Sequence, residues 1–241
     1  MGVGLNGGGM LTYETLEVVR VKRPVDRVAY IADICRDQVV LDLGCYDETA
    51  LVKVGTMHWL HGQISNVARR VDGVDMSAGI PPTGFRTSPN SVIYKGDAVG
   101  LEGVAGIGDD YDVVVAGEFI EHIEAPLVFL KKLRSLFPGK TLIFSTPNGP
   151  SVSSVLMGMI GREAQHPDHL ANFSYKILNT LCLRAGFKSW EIVPYHFYAS
   201  EMILRSRGVG KVFVILVERF LRLFEWFFPM TSFGYVVKVV L

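Results

Sequence analysis

The sequence predicts an α/β fold: a doubly wound, mostly parallel seven-stranded sheet with helices on both faces and an antiparallel last strand. Three observations carry this reading. Short apolar, β-branched runs alternate with segments of helical periodicity from Val25 to Ser145. Three successive runs end in an acid, at Asp42, Asp75 and Asp97. Neither an internal repeat nor a linker interrupts the pattern, so one domain is expected.

The elements follow in order. Val25 to Arg36 places apolar residues at Val25, Val28, Ala29, Ile31, Ala32 and Ile34, a helical spacing. Gln38 to Gly44 is a short apolar run of the kind buried on both faces in parallel sheets. His58 to Ala68 reads as helix, Val71 to Asp75 as strand, and Ser91 to Asp97 as strand again. Tyr111 to Ala116 is the most apolar strand, followed by a helix from Pro126 to Phe137 and a strand from Lys140 to Ser145. Strands alternating with helices imply right-handed crossovers and a sheet covered on both faces. Beyond them, Tyr175 to Ala185 is helical with Gly186 as its C′ glycine. Ser189 to Tyr198 and Phe233 to Leu241 complete the strands.

Residues 1–20 begin MGVGLNGGGM and are read as a flexible segment ahead of a domain over 21–241, with a helical insert at about 200–228. The start lacks the charged and apolar parts of a signal peptide. Val209 to Phe228 is apolar but interrupted by Lys211, Glu218, Arg219, Arg222 and Glu225, so an amphipathic helix is expected and not a membrane span. Lysine plus arginine equals aspartate plus glutamate at 24 each, which argues against a nucleic-acid partner. Cys35, Cys45 and Cys182 lack metal-ligand spacing and are read as reduced thiols, which places the protein in the cytoplasm.

Ligands of open α/β sheets bind beyond the carboxyl ends of the strands. Asp42, Asp75 and Asp97 would therefore line one crevice. The first strand runs into Gly44-Cys45-Tyr46-Asp47-Glu48, with no G-x-G-x-x-G and no P-loop lysine. A carboxylate-lined crevice without a phosphate cradle suits a cationic cofactor carrying a ribose.

The segments VVLDLGC, VDGVDMS, YKGDAV, YDVVVAGEFIEHI and KTLIFSTPN, in this order, resemble class I, Rossmann-like S-adenosylmethionine-dependent methyltransferases over Val39 to Gly149. The resemblance implies S-adenosylmethionine as cofactor and S-adenosylhomocysteine as product. It places Asp42, Gly44, Cys45 and Tyr46 in the loop under the methionine part. Asp75, with Met76, would meet the ribose hydroxyls, and Asp97 and Ala98 the adenine. Glu118 and Phe119 would close over the cofactor. The family's D-x-G-x-G-x-G keeps only its first glycine here, because Tyr46 and Glu48 replace the other two. Either the loop takes another path or the pocket is partly obstructed.

Glu118, Glu121 and His122 share a face if their turn is helical, and His166 and His169 follow downstream. This arrangement resembles the magnesium site of small-RNA 2′-O-methyltransferases. Carried over, the ligands would be Glu118, Glu121, His122 and either His166 or His169. An E-H pair here is also common among metal-free methyltransferases resembling the ubiquinone-biosynthesis enzymes. Without metal, His122 or His169 is the expected general base, whereas His58 and His61 are read as packing beneath the first loop. HPDHLANFS before a helix resembles bacterial enzymes that tailor polysaccharides and natural products. The leading expectation is O-methylation of a saccharide, glycolipid or natural-product acceptor. A metal-dependent RNA 2′-O-methyltransferase, a nucleotide-binding oxidoreductase and a non-catalytic nucleoside-binding module are the alternatives. The aromatic insert at 200–228 is a candidate homodimer face or lid, with membrane-surface contact a weaker reading.

Overall fold

The computed structural model describes residues 18–46, 53–163 and 165–241. Five parallel strands form the centre: β1 (Val39–Leu43), β2 (Arg70–Asp75), β4 (Ser91–Lys95), β5 (Val113–Gly117) and β6 (Thr141–Pro147). All of β1 is buried, as expected of a strand with helices on both sides. With β3 (Phe85–Ser88), β7 (Trp190–Tyr195) and β8 (Gly234–Val240), the sheet has eight strands in the order β3-β4-β2-β1-β5-β6-β8-β7.

That count corrects the expected seven. The extra strand, β3, pairs antiparallel with β4 at the sheet edge. Its sequence, Phe85-Arg86-Thr87-Ser88, carries one large apolar residue and stays partly exposed, so no hydrophobic period announces it. The expected antiparallel last strand is β8, which lies between β6 and β7 and runs against both.

Helices α1 (Arg27–Ile34), α2 (Leu60–Ser65), α3 (Pro126–Leu136), α4 (Val152–Met159) and α5 (Tyr175–Ala185) precede the insert, which is two helices, α6 (Ser200–Arg205) and α7 (Gly208–Phe227). Caps set several boundaries: Asp26 accepts from Ala29 N at 3.1 Å, and Gly186 takes the left-handed conformation after α5. α2 is shorter than the helix expected over His58 to Ala68. α4 was not anticipated at all. Alternate residues of each strand feed two cores: Leu41, Val114 and Phe144 pack with Phe129, Leu133 and Leu178, while Val40, Val113 and Ile143 pack with Ile31 and Ile64. The strand order reverses between β1 and β5, where a ligand crevice is expected. Among the described residues, no helix is long and apolar enough to cross a membrane.

Candidate active site

The crevice floor is the end of β1. Asp42 is buried there and accepts a hydrogen bond from His61 Nδ1 at 2.9 Å. With the carboxylate as acceptor, Nδ1 carries the proton, and Nε2 faces Ser91 Oγ at 2.9 Å. His61 is thus a support for Asp42, matching its reading as packing beneath the loop. Gly44 follows with φ +67, and its N–H donates to Val74 O at 2.9 Å. A Cβ built on Gly44 would overlap the ring of Phe119, so this glycine meets both a backbone and a space requirement.

Beyond Gly44 the loop is held to the end of β2. Tyr46 N donates to Asp75 Oδ2 at 2.9 Å, and Ser77 N donates to Asp75 Oδ1 at 2.8 Å. The Tyr46 ring packs with Trp59, Ile80 and Ile93 and meets the edge of Phe85 at 5.8 Å. A large side chain where a glycine is usual is therefore held in an apolar cluster that also walls the crevice. Glu48 lies outside the described residues. Asp97 is exposed and accepts from Val99 N at 2.8 Å, beside buried Ala98.

At the end of β5, Glu118 has φ +54, rare for a side chain with a Cβ. Its N–H donates to Ser145 O at 2.9 Å. Its carboxylate accepts from Tyr195 Oη at 2.8 Å and from Tyr198 Oη at 2.7 and 2.6 Å. Arg27 pairs with it at 3.5 Å and lies over both tyrosine rings. Burial works against the charge on Glu118, but Arg27 and the two hydroxyls outweigh it and hold the carboxyl below its ordinary value. Ile120–His122 forms a single 3₁₀ turn that excludes Glu118. The helical turn that would have placed Glu118, Glu121 and His122 on one face is absent, a correction to the sequence reading.

Glu121 is 1% exposed, and neither of its carboxylate oxygens has a hydrogen-bond partner. Burial, and next the charge of Glu118, push its carboxyl up to about 8 from 4.5. An acid whose folded value is raised keeps its full stability below pH 4.5 and loses it as pH rises towards 8. We therefore expect Glu121→Gln to remove a loss of about 1.4 kcal/mol per pH unit across that window. Chemical denaturation at a series of pH values checks this; parallel curves for the two proteins would refute it.

The backbone oxygen of Glu121 accepts from Leu170 N at 2.8 Å and Ala171 N at 3.2 Å, tying the downstream loop to the turn. That contact brings His122, His166 and His169 together, with the His122 and His169 rings 4.7 Å apart. One nitrogen from each of the three lies within 4.8 Å of the others. Burial first, and then the neighbouring imidazoles, lower the values of His122 and His169, favouring their neutral forms.

One cavity of 1160 Å³ spans both halves. Asp42, Gly44, Cys45, Tyr46, Asp75, Met76, Asp97, Ala98, Glu118 and Phe119 line one part, and Glu121, His122, His166 and His169 the other. Sequence reasoning missed Arg27 and Tyr198, which also line it. Their only signals were an arginine inside an apolar helix and two tyrosines three residues apart at a strand end. Neither is specific.

A parallel sheet reversing at β1 and β5, an inserted antiparallel β8 and carboxylates at successive strand ends define a class I methyltransferase architecture. Residues 18–192 match the methyltransferase-domain family, and the chain belongs to it as an S-adenosylmethionine-dependent methyltransferase. Similar solved structures include a SAM-dependent methyltransferase from Archaeoglobus fulgidus, with 17% identity over 88% of this chain and 90% of that one and a TM-score of 0.51. Another, from Thermotoga maritima, has 13% identity over 88% and 86% of the two chains and a TM-score of 0.54. The small RNA methyltransferase HEN1 has 19% identity over 95% of this chain but 27% of its own, with a TM-score of 0.56. Such identities show the fold alone. No curated protein matches the chain.

Proposed function

We propose that this methyltransferase acts on a hydroxyl of a saccharide, glycolipid or natural-product acceptor, with His122 or His169 as the base. The observation that carries this is one cavity with carboxylates at the strand ends on one side and neutral-favouring imidazoles on the other. Asp75 and Asp97 offer charge-assisted acceptors to ribose and adenine, and the missing side chain of Gly44 leaves the space that the Phe119 ring fills. Bound S-adenosylmethionine supplies an electrophilic methyl group. The imidazole takes the hydroxyl proton as the new O–C bond forms, and the C–S bond breaks to leave S-adenosylhomocysteine.

Asp75→Ala should weaken S-adenosylhomocysteine binding by at least tenfold in calorimetry, because a charge-assisted acceptor is worth about 1.5–3 kcal/mol. Unchanged affinity would remove Asp75 from the site.

The residues do not fit magnesium. Glu118 is engaged by Arg27, Tyr195 and Tyr198, and the atoms that converge are three imidazoles, which leaves the unpartnered Glu121 as the one carboxylate of the set, whereas magnesium favours several oxygen ligands. Turnover should persist in chelator and rise with pH through an ionisation below 6.5, the ordinary histidine value, since burial lowers both candidates. Loss of activity in chelator would overturn the metal-free reading. A non-catalytic nucleoside-binding role would show as binding without turnover.

A further inference from the structure

Helix α7 is built inside out. Its outward stripe is Val209, Phe213, Leu216, Phe220, Leu223 and Phe227, recurring every three or four residues over a length of about 30 Å. Val209 is 87% exposed, Phe213 67%, Phe220 64% and Phe227 63%. Its acids face the protein instead. Glu225 is fully buried and accepts from Phe197 N at 2.8 Å, and Glu218 accepts from Ala199 N at 2.8 Å. Glu201 of α6 is paired with Lys53 at 3.1 Å. The exposed cations Arg205, Arg207, Lys211 and Arg219 make no ion pair among the described residues. Beside α7, the outward side of α4 adds Val155, Met159 and Ile160, and Val152 to Met159 carries no charge.

We propose that this face docks on an anionic lipid bilayer. Large apolar residues with Arg219 on their flank and with Arg207 and Lys211 exposed at the helix start, while Glu218 and Glu225 turn to the protein, complement a negatively charged interface. A second copy is the poorer occupant. Glu218 and Glu225 are turned to the protein, so the stripe of a second copy offers the exposed cations no acid from its own helix. Arg205 and Ser154 line the active-site cavity as well, so docking would bring the cavity to the membrane surface. For a lipid-carried acceptor, that consequence rests on the proposed O-methylation; the docking itself does not.

Co-sedimentation of the full chain with vesicles tests this. Wild type should bind equimolar phosphatidylglycerol–phosphatidylcholine vesicles, and bind phosphatidylcholine alone at least tenfold more weakly. Arg207→Gln, Lys211→Gln and Arg219→Gln together should reduce anionic binding by about a hundredfold, since each cation near the surface contributes about 1 kcal/mol. Phe213→Glu with Phe220→Glu should abolish binding while leaving S-adenosylhomocysteine affinity intact, the control for folding. Failure of wild type to bind anionic vesicles would overturn the proposal, as would equal binding to both compositions. A dimer in sedimentation velocity that the phenylalanine variant dissolves, without vesicle binding, would assign the face to a second copy. Vesicle binding without cofactor binding would leave the docking intact and defeat the enzymatic reading.

Discussion

Glu118→Ala should lower the free energy of unfolding by about 1.5–3 kcal/mol, the range for hydrogen bonds to a charged group, because the carboxylate and its partners are only partly buried. Arg27 would keep Ser145 Oγ at 3.2 Å and the faces of two tyrosines but lose its carboxylate. The hydroxyls of Tyr195 and Tyr198 would lose their acceptor too. Alanine suffers the same left-handed backbone as glutamate, so the loss would report the side chain and not the φ of +54. Glu118→Gln should recover part of it, since an amide oxygen still accepts from a tyrosine. Removing both charges, with Glu118→Gln and Arg27→Met, should cost less than the sum of the single changes. Urea denaturation of wild type, Glu118→Ala, Glu118→Gln, Arg27→Met and the double variant measures this; a loss under about 1 kcal/mol in Glu118→Ala would mean that the pair contributes little.

Gly44→Ala should cost about 2–5 kcal/mol and weaken S-adenosylhomocysteine binding by more than tenfold. The left-handed φ of +67 accounts for about 1–2 kcal/mol of this. Overlap with Phe119 accounts for about 1–3 kcal/mol, because that ring is braced against Phe129 at a centroid distance of 5.5 Å. Gly158 is the control: a Cβ there meets nothing, and it sits within α4. Gly158→Ala should stabilise by about 0.5–1 kcal/mol. Equal behaviour of the two variants would refute the special role of Gly44.

The sequence is most legible where one physical demand dominates. The central strands β1, β5 and β6 are largely apolar because both faces are buried, so they could be read directly. Edge strand β3 carries no such demand and was missed. At the site, strand-end position located Asp42, Asp75 and Asp97 without any knowledge of side-chain partners. What spacing could not reveal was long-range pairing. Glu118 was grouped with Glu121 and His122 because it is near them in sequence, yet its partners are Arg27, Tyr195 and Tyr198. The orientation of α7 was equally hidden. A helical wheel shows that a helix has an apolar side but not which side the protein body takes.

The place of β8 has a consequence for the order in which the molecule can form. Thr141 of β6 pairs with Val240, and Trp190 of β7 pairs with Val239, so β6 and β7 have no common neighbour until β8 has been made. The stretch from Tyr195 to Gly234 takes roughly 2–8 s to synthesise at ~5–20 residues per second. Throughout that interval β6 shows an unpaired edge while the exposed phenylalanines of α7 are emerging from the ribosome. Closure through such distant contacts is intrinsically slow. The nascent chain therefore passes through a stage with an open strand edge and a bare apolar helix together, the stage at which it is most open to chaperones and to aggregation.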